Sequence, residues 1–214
     1  MEIGLIIIFW YGVLHAFGPD HLSAIADFSI GKSMKKTLLV TLAFAFGHGL
    51  MLFIFAKLLS EYGLPESITA YGDMISSSLI IGVGVYLLYM AFTEKIHVSK
   101  HMHENKEHIH IYFGKSHSHE TNATVGAGAL SVGALMGIGG VRGMLATLAT
   151  LRGNSLDWTM ILAFVAGVSL VFVSFGATIL FVNRSLLTNL VNVRRAFATA
   201  GAISVAVGAN MFFA

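Results

Sequence analysis

The sequence contains no cysteine and only two prolines, and charged side chains make up just 11% of its 214 residues. Without cysteine there is no disulfide framework, no thiolate metal site and no passage of electrons through a Cys pair. A soluble domain carries roughly a quarter charged residues, so too little polar side chain is present here to cover a water-facing globule. That scarcity excludes a cytosolic enzyme, a nucleic-acid binder and a disordered chain. No phosphate-binding loop is present either, so the chain holds no ATP-driven motor of its own. What fills the sequence is apolar: 56% hydrophobic residues, a mean hydropathy of +0.77, and 23 glycines, which let helix backbones approach closely in lipid. The net charge of +2 says little, because the basic residues sit in short clusters between apolar stretches. The composition is that of an integral membrane protein embedded in a lipid bilayer.

An all-α, polytopic architecture follows, because the apolar runs are continuous rather than alternating as in a barrel. Six stretches approach or exceed the roughly 20 helical residues that cross a hydrocarbon core: Ile3–Ile30 with an interruption, Thr37–Leu59, Met74–Phe92, Val125–Leu151, Trp158–Val182 and Ala196–Ala214. Counts of five or seven stay open, since the first and fourth stretches are long and broken by glycine. The first span has no basic n-region or cleavage site and is expected to be a membrane helix rather than a signal peptide. Lysine and arginine orient the chain. Lys32, Lys35, Lys36, Lys95, Lys100, Lys106, Lys115, Arg184, Arg194 and Arg195 fall in the first, third and fifth loops, against Lys57, Arg142 and Arg152 on the other side. The expected topology puts those three loops in the cytoplasm and both termini outside, in the cytoplasmic (inner) membrane.

Three segments emerge: residues 1–93, a connection over 94–124, and residues 125–214. The outer two each hold three spans and each open with a Gly-interrupted helix, at Gly18-Pro19 and at Gly139-Gly140. Two halves with an odd number of spans run in opposite directions, which is the outline of a 3+3 inverted repeat whose broken helices point to a midplane site. The competing explanation is the ordinary glycine richness of membrane helices.

Polar groups inside the first span stand out against this background. His15, Asp20 and His21 lie within seven residues of one another, where an ionisable group near the bilayer centre costs on the order of 2.5–3.5 kcal/mol. Imidazole and carboxylate together suit a divalent first-row metal. On an unbroken helix His15 and His21 would stand about 240° apart and could not share an ion. Pro19 cannot donate to the carbonyl four residues back and clashes with it, Gly18 supplies freedom to bend, and proline suits the first position of a restarted helix. The motif therefore predicts a bent site, with a freed carbonyl facing the same hollow. A purely structural account also exists: hydrogen-bonded neutral histidines, with Asp20 capping the second segment. His48, flanked by Gly47 and Gly49 in the next span, is a fourth candidate, either as a ligand or as a bridge between helices.

The connection from Lys95 to Glu120 carries seven of the ten histidines: His97, His101, His103, His108, His110, His117 and His119. Such a tract is a compositional sign of metal binding. With irregular spacing and no cysteine it describes a weak, multi-ion collector rather than one closed site; an adventitious tract and a pH sensor are the other readings. Arg142 is either snorkelling or a gate charge. Asn210 and the run Ser76-Ser77-Ser78 suit helix–helix hydrogen bonds, and Met136, Met144 and Met160 suit packing. A Ser/His pair at helical spacing and a His-Glu-x-x-His motif are both lacking, so no enzymatic activity is expected.

His15-x4-Asp20-His21 in one membrane helix, followed by Gly47-His48-Gly49 in the next, resembles the signature of the nickel/cobalt transporter family, including its shorter efflux and urease-accessory-like members. The likeness covers roughly residues 12–52, with the His-rich connection similar to the efflux branch. The resemblance implies passage of Ni²⁺ or Co²⁺ as cargo, with no prosthetic group, and gives His15, Asp20, His21 and His48 the metal-recognition roles. It also implies a place among small carriers with three-plus-three inverted repeats. The chain departs from the long uptake members in opening directly on the motif helix and in lacking their later acidic and Thr-rich signatures. The expected function is secondary transport of a divalent metal, efflux favoured over uptake by the collector, with metal–proton exchange as a means of coupling. Two alternatives stand beside it: an exporter of a small organic or oxyanionic solute, and a non-transporting accessory that hands nickel to an enzyme-assembly partner. A homo-oligomer is compatible with each.

Overall fold

The computed structural model describes residues 2–62, 67–93, 95–103, 106–113, 121–141, 144 and 158–213. Among the described residues the elements run in chain order α1 (Glu2–Ala16), α2 (Pro19–Ser29), α3 (Met34–Tyr62), α4 (Ser67–Phe92), β1 (Ile96–His103), β2 (Lys106–Phe113), α5 (Asn122–Gly137), α6 (Trp158–Ser185) and α7 (Leu190–Phe213). Among the described residues, four helical stretches are long and apolar enough to cross a membrane: Met34–Leu59, Ala70–Phe92, Trp158–Ser185 and Leu190–Phe213. A fifth is the broken pair Ile3–Ala16 and Pro19–Ser29, bent by 64°. The body is thus an all-α membrane protein. Large apolar side chains such as Trp10, Phe46, Leu162 and Phe181 point outward, as lipid-facing positions require.

Local chemistry sets most of the boundaries. Pro19 opens α2 at its first turn, where a missing N–H costs nothing. Thr121 caps α5 by accepting from the Thr124 N–H at 3.2 Å, and Asn189 caps α7 by accepting from the Asn192 N–H at 2.8 Å. That cap explains why α7 begins at Leu190 rather than near Ala196: Arg194 and Arg195 lower the hydropathy without breaking the helix. Between α2 and α3 the chain turns through Gly31 at φ 73°, a conformation that favours glycine. Asn183 of α6 clamps this turn, donating to the carbonyls of Ser29 (2.8 Å) and Lys32 (3.3 Å) and accepting from the Gly31 N–H (3.0 Å).

Three close helix pairs build the interior: α1 with α6, α3 with α5, and α4 with α7. Each contains a glycine whose absent Cβ lets the partner backbone in. Gly12 of α1 lies against the Phe164 carbonyl and Gly167 of α6 against that of Phe9, next to Val13. Gly133 of α5 lies against the Phe44 carbonyl and Gly47 of α3 against that of Leu130, next to Ala134. Gly84 and Gly201 face each other across α4 and α7. The main core runs through Ile8, Val40, Phe44, Leu52, Met136, Phe164 and Phe172. A second cluster, around Leu87, Met90, Val193 and Phe197, receives Ile96 at the root of the hairpin.

Within the connection over 94–124, Ile96–His103 and Lys106–Phe113 pair as antiparallel strands. Ile96, Val98, Met102, Ile109, Ile111 and Phe113 fall at alternate positions, a period-two apolar pattern that favours strands over loop. Four spans, or five with the bent pair, are described rather than six. The expected fourth span is seen as α5 ending at Gly137, with a turn at 138–140, and residues 142–143 and 145–151 of it lie outside the described residues.

Candidate metal centre

The site begins with the break in the first span. The Phe17 N–H donates to the Leu14 carbonyl (3.2 Å) and the Gly18 N–H to the His15 carbonyl (3.0 Å), closing a tight turn before Leu22 N–H reaches back to Gly18 (3.2 Å) in the new helix. The His15 carbonyl is therefore engaged by Gly18 rather than left facing a hollow. With α2 swung by 64°, the rings of His15 and His21 come to 4.7 Å between centroids, although they stand on opposite sides of the break.

His48 enters from α3. Its ring lies 5.2 Å from that of His15 and 4.6 Å from that of His21, and the Nε2 atoms of His15 and His48 are 2.9 Å apart. One nitrogen from each of the three histidines lies within 4.8 Å of the others. His21 and His48 are buried and His15 is partly so. In a 2.9 Å contact one Nε2 must donate and the other accept, so at least one of these two imidazoles is neutral. Two nitrogens bound at about 2.1 Å to one ion at right angles also stand about 3 Å apart. The imidazole pair is thus spaced as two neighbouring ligands are, and an ion there would take the place of the shared proton.

The surroundings are small residues and aromatic rings. A Cβ on Gly140 would sit 2.9 Å from His15 Cε1, and one on Gly18 would sit 2.6 Å from His21 Nδ1. One glycine from each break borders the imidazoles, and a larger residue at either would press on a ring. Gly139 instead meets α4, next to Ser76. Tyr11 stacks on His15 at 5.6 Å, Phe44 on His48 at 6.0 Å, and Phe164 and Phe172 flank His15 and His21. Charge–ligand interactions are stronger in such an apolar wall than in water.

Asp20 is beside this group rather than in it. Its Oδ1 approaches His21 Nδ1 at 3.2 Å, while Nδ1 makes no aligned hydrogen bond among the described residues. A carboxylate in that position acts on the ring's orientation and basicity. The backbone of His97, His101, His103, His108 and His110 belongs to the hairpin, which pairs His101 with His108, Ser99 with His110 and His97 with Tyr112. Strand alternation places these five positions on one face. His117, His119 and Arg142 lie outside the described residues. Ser76 donates to the Met136 carbonyl of α5 at 3.4 Å, a helix–helix bond, whereas Ser77 bonds within its own helix to the Asp73 carbonyl. Met136, Met144 and Met160 are buried packing residues.

The aromatic walls, Asn183 and Asp27 are absent from the sequence reading. Asp27 was open to discovery: it follows Asp20 by seven residues, which puts both acids on one face of α2. No family model matches the chain, and no curated protein and no solved structure matches it either.

Proposed function

We propose that the protein is a secondary transporter of a divalent transition-metal ion, Ni²⁺ or Co²⁺, with no enzymatic activity. The observation that carries this reading is the convergence of His15, His21 and His48 around one point inside a membrane-embedded helix bundle. Neutral imidazoles are good ligands for these ions, and a buried cluster of three is costly in lipid unless it has a task. Asp20 supports the charge of the bound cation through His21. Because ligand histidines must be deprotonated, metal binding displaces protons.

A six-span inverted repeat is the architecture we infer for it. Phe9, Gly12 and Val13 correspond to Leu130, Gly133 and Ala134 at one constant separation in sequence, and Phe44 and Gly47 correspond to Phe164 and Gly167 at a separation one residue shorter. Exchanging the halves turns the α1–α6 contact into the α3–α5 contact and returns α4–α7 to itself. The Gly84–Val205 approach likewise becomes the Gly201–Leu88 approach. Such a relation supports alternating access, in which the two equivalent helix pairs trade arrangements around a midplane site. The basic loops favour a cytoplasmic hairpin in the inner membrane with both termini outside. The histidine-rich connection on that side favours efflux.

Flux into oriented proteoliposomes, with and without a pH gradient, tests this reading. Ni²⁺ or Co²⁺ movement that His15→Ala and His21→Ala abolish is the expected result. Cells carrying those variants that tolerate and accumulate nickel like the wild type would overturn it. The histidine face of the hairpin also favours a second reading, a nickel-handling accessory without transport. In that case deleting the hairpin abolishes function and Asp20→Asn is harmless. An organic or oxyanionic solute exporter predicts instead that hairpin-deleted protein binds no metal.

A further inference from the structure

Asp27 sits on α2, two turns beyond Asp20, and takes no part in the imidazole cluster. Its Oδ2 accepts from the Ser204 hydroxyl of α7 at 2.7 Å. Its Oδ1 is buried and finds no hydrogen-bond partner among the described residues, and no salt bridge reaches it among them. A carboxylate within a membrane span, held by one neutral hydroxyl, lacks the compensation an ionised form requires. An O–H on Oδ1 removes that charge.

Two cavities meet at this side chain. One, of about 840 Å³, runs along α4 past Tyr71, Ser78 and Tyr86 and reaches Lys32. The other, of about 640 Å³, lies between α6 and α7 and is bordered by Phe175, Arg195 and Ser204. The titratable groups that share these cavity walls with Asp27 are Tyr71 and Tyr86 from α4, Arg195 from α7 and Lys32 from the turn; α3 and α6 contribute none, nor does α5, which meets Asp27 through Val132 and Met136, and Asp20 lies two turns back on the same helix. The Asp27 carboxyl thus borders both cavities.

We propose that Asp27 is a proton-carrying site: Oδ1 gains a proton when the imidazole centre is empty and releases it when a divalent ion binds there. The O–H bond forms and breaks with no other bond change, and the proton passes to water in one of the cavities. About six residues of helix rise, roughly 9 Å, separate His21 from Asp27. At that range in an apolar interior a dication favours the carboxylate over the acid. Metal loading and proton release then run together, which makes the cycle an exchange. This inference rests on the metal reading of the centre, and its test separates the two.

Dicyclohexylcarbodiimide adds across the O–H of protonated carboxyls in apolar surroundings. In the full-length protein in lipid nanodiscs, mass spectrometry should find the adduct on Asp27, decreasing as pH rises and decreasing when Ni²⁺ is added; Asp27→Asn should show background labelling. In weak buffer with a pH indicator, Ni²⁺ should release one fewer proton per bound ion from Asp27→Asn than from wild type, with Ni²⁺ still bound. Absence of labelling at every pH, or unchanged proton release in Asp27→Asn, overturns the inference. If wild-type protein binds no Ni²⁺, the metal reading fails, and the pH dependence of labelling still decides whether Asp27 carries a proton.

Discussion

At the scale of single residues, the centre depends on groups that fill no ligand role as much as on the imidazoles. His48 is one of the three residues that offer a ring nitrogen, and His48→Gln keeps most of its volume while removing the ring. Ni²⁺ affinity, measured by calorimetry on the purified protein, should fall by about 100-fold or more, since loss of an outer partner alone typically costs 10–100-fold. Asp20→Asn belongs to that outer class and should cost about 10–100-fold, leaving residual binding that His48→Gln lacks. Equal losses in the two variants would make Asp20 a ligand. Gly140→Ala tests the wall. Its Cβ would press on His15 at 2.9 Å, so affinity should fall although no donor atom has been removed, at a stability cost of about 1–3 kcal/mol for overpacking. Unchanged affinity would mean that the His15 ring is not held where metal binds.

At the scale of elements, the decisive feature is the bend between α1 and α2. Gly18 is packed on its own product: a Cβ there would lie 2.5 Å from Asp20 Oδ1 and 2.6 Å from His21 Nδ1. Gly18→Ala should therefore push the first turn of α2 away from α1, separating His21 from His15 while both side chains remain. Cobalt offers a readout, because Co²⁺ bound by three imidazoles absorbs in the visible. The variant should lose that band or show it with altered intensity, and a spectrum identical to wild type would mean that the site tolerates an open bend. This bend was legible in the sequence because a Gly-Pro pair breaks hydrogen bonding whatever surrounds it. The meeting of His48 with the other two was legible only as far as a short loop makes neighbours of successive helices. The aromatic walls were not, because Phe164 and Phe172 come from a helix more than a hundred residues away, and nothing local marks a phenylalanine as facing a histidine. The hairpin was legible in principle. The apolar alternation of Ile109, Ile111 and Phe113 has the period of a strand, but it is short and set among histidines and charges. Asp27 shows in the sequence only as a second acid on the Asp20 face, because its partner Ser204 lies in the last helix.

At the scale of the whole molecule, stability depends on close backbone approach rather than on an excess of buried apolar surface, since lipid tails are as apolar as the core. The three glycine-lined pairs should then respond to substitution according to their place in the inferred repeat. Gly12 and Gly133 occupy equivalent positions, one on the Phe164 carbonyl and one on the Phe44 carbonyl, in separate crossings. Gly12→Ala and Gly133→Ala should each destabilise, by similar amounts, and the double variant should be additive within about 0.3–0.5 kcal/mol, as for distant sites. Gly84 and Gly201 are equivalent to each other and also touch: a Cβ on Gly84 meets the Gly201 carbonyl at 2.8 Å, and one on Gly201 meets the Gly84 carbonyl at 2.7 Å. Once the first methyl has forced α4 and α7 apart, the second enters space already opened. Their double variant should fall short of additivity by about 0.5–3 kcal/mol. Gly82 and Gly128, with open space where a Cβ would be, serve as controls whose alanine variants should be neutral or stabilised by up to about 1 kcal/mol. Thermal midpoints of the detergent-solubilised variants measure all of this. Strongly unequal costs at Gly12 and Gly133, or full additivity at Gly84 and Gly201, would break the correspondence between the halves and with it the argument that one pair of helices can take over the other's place during transport.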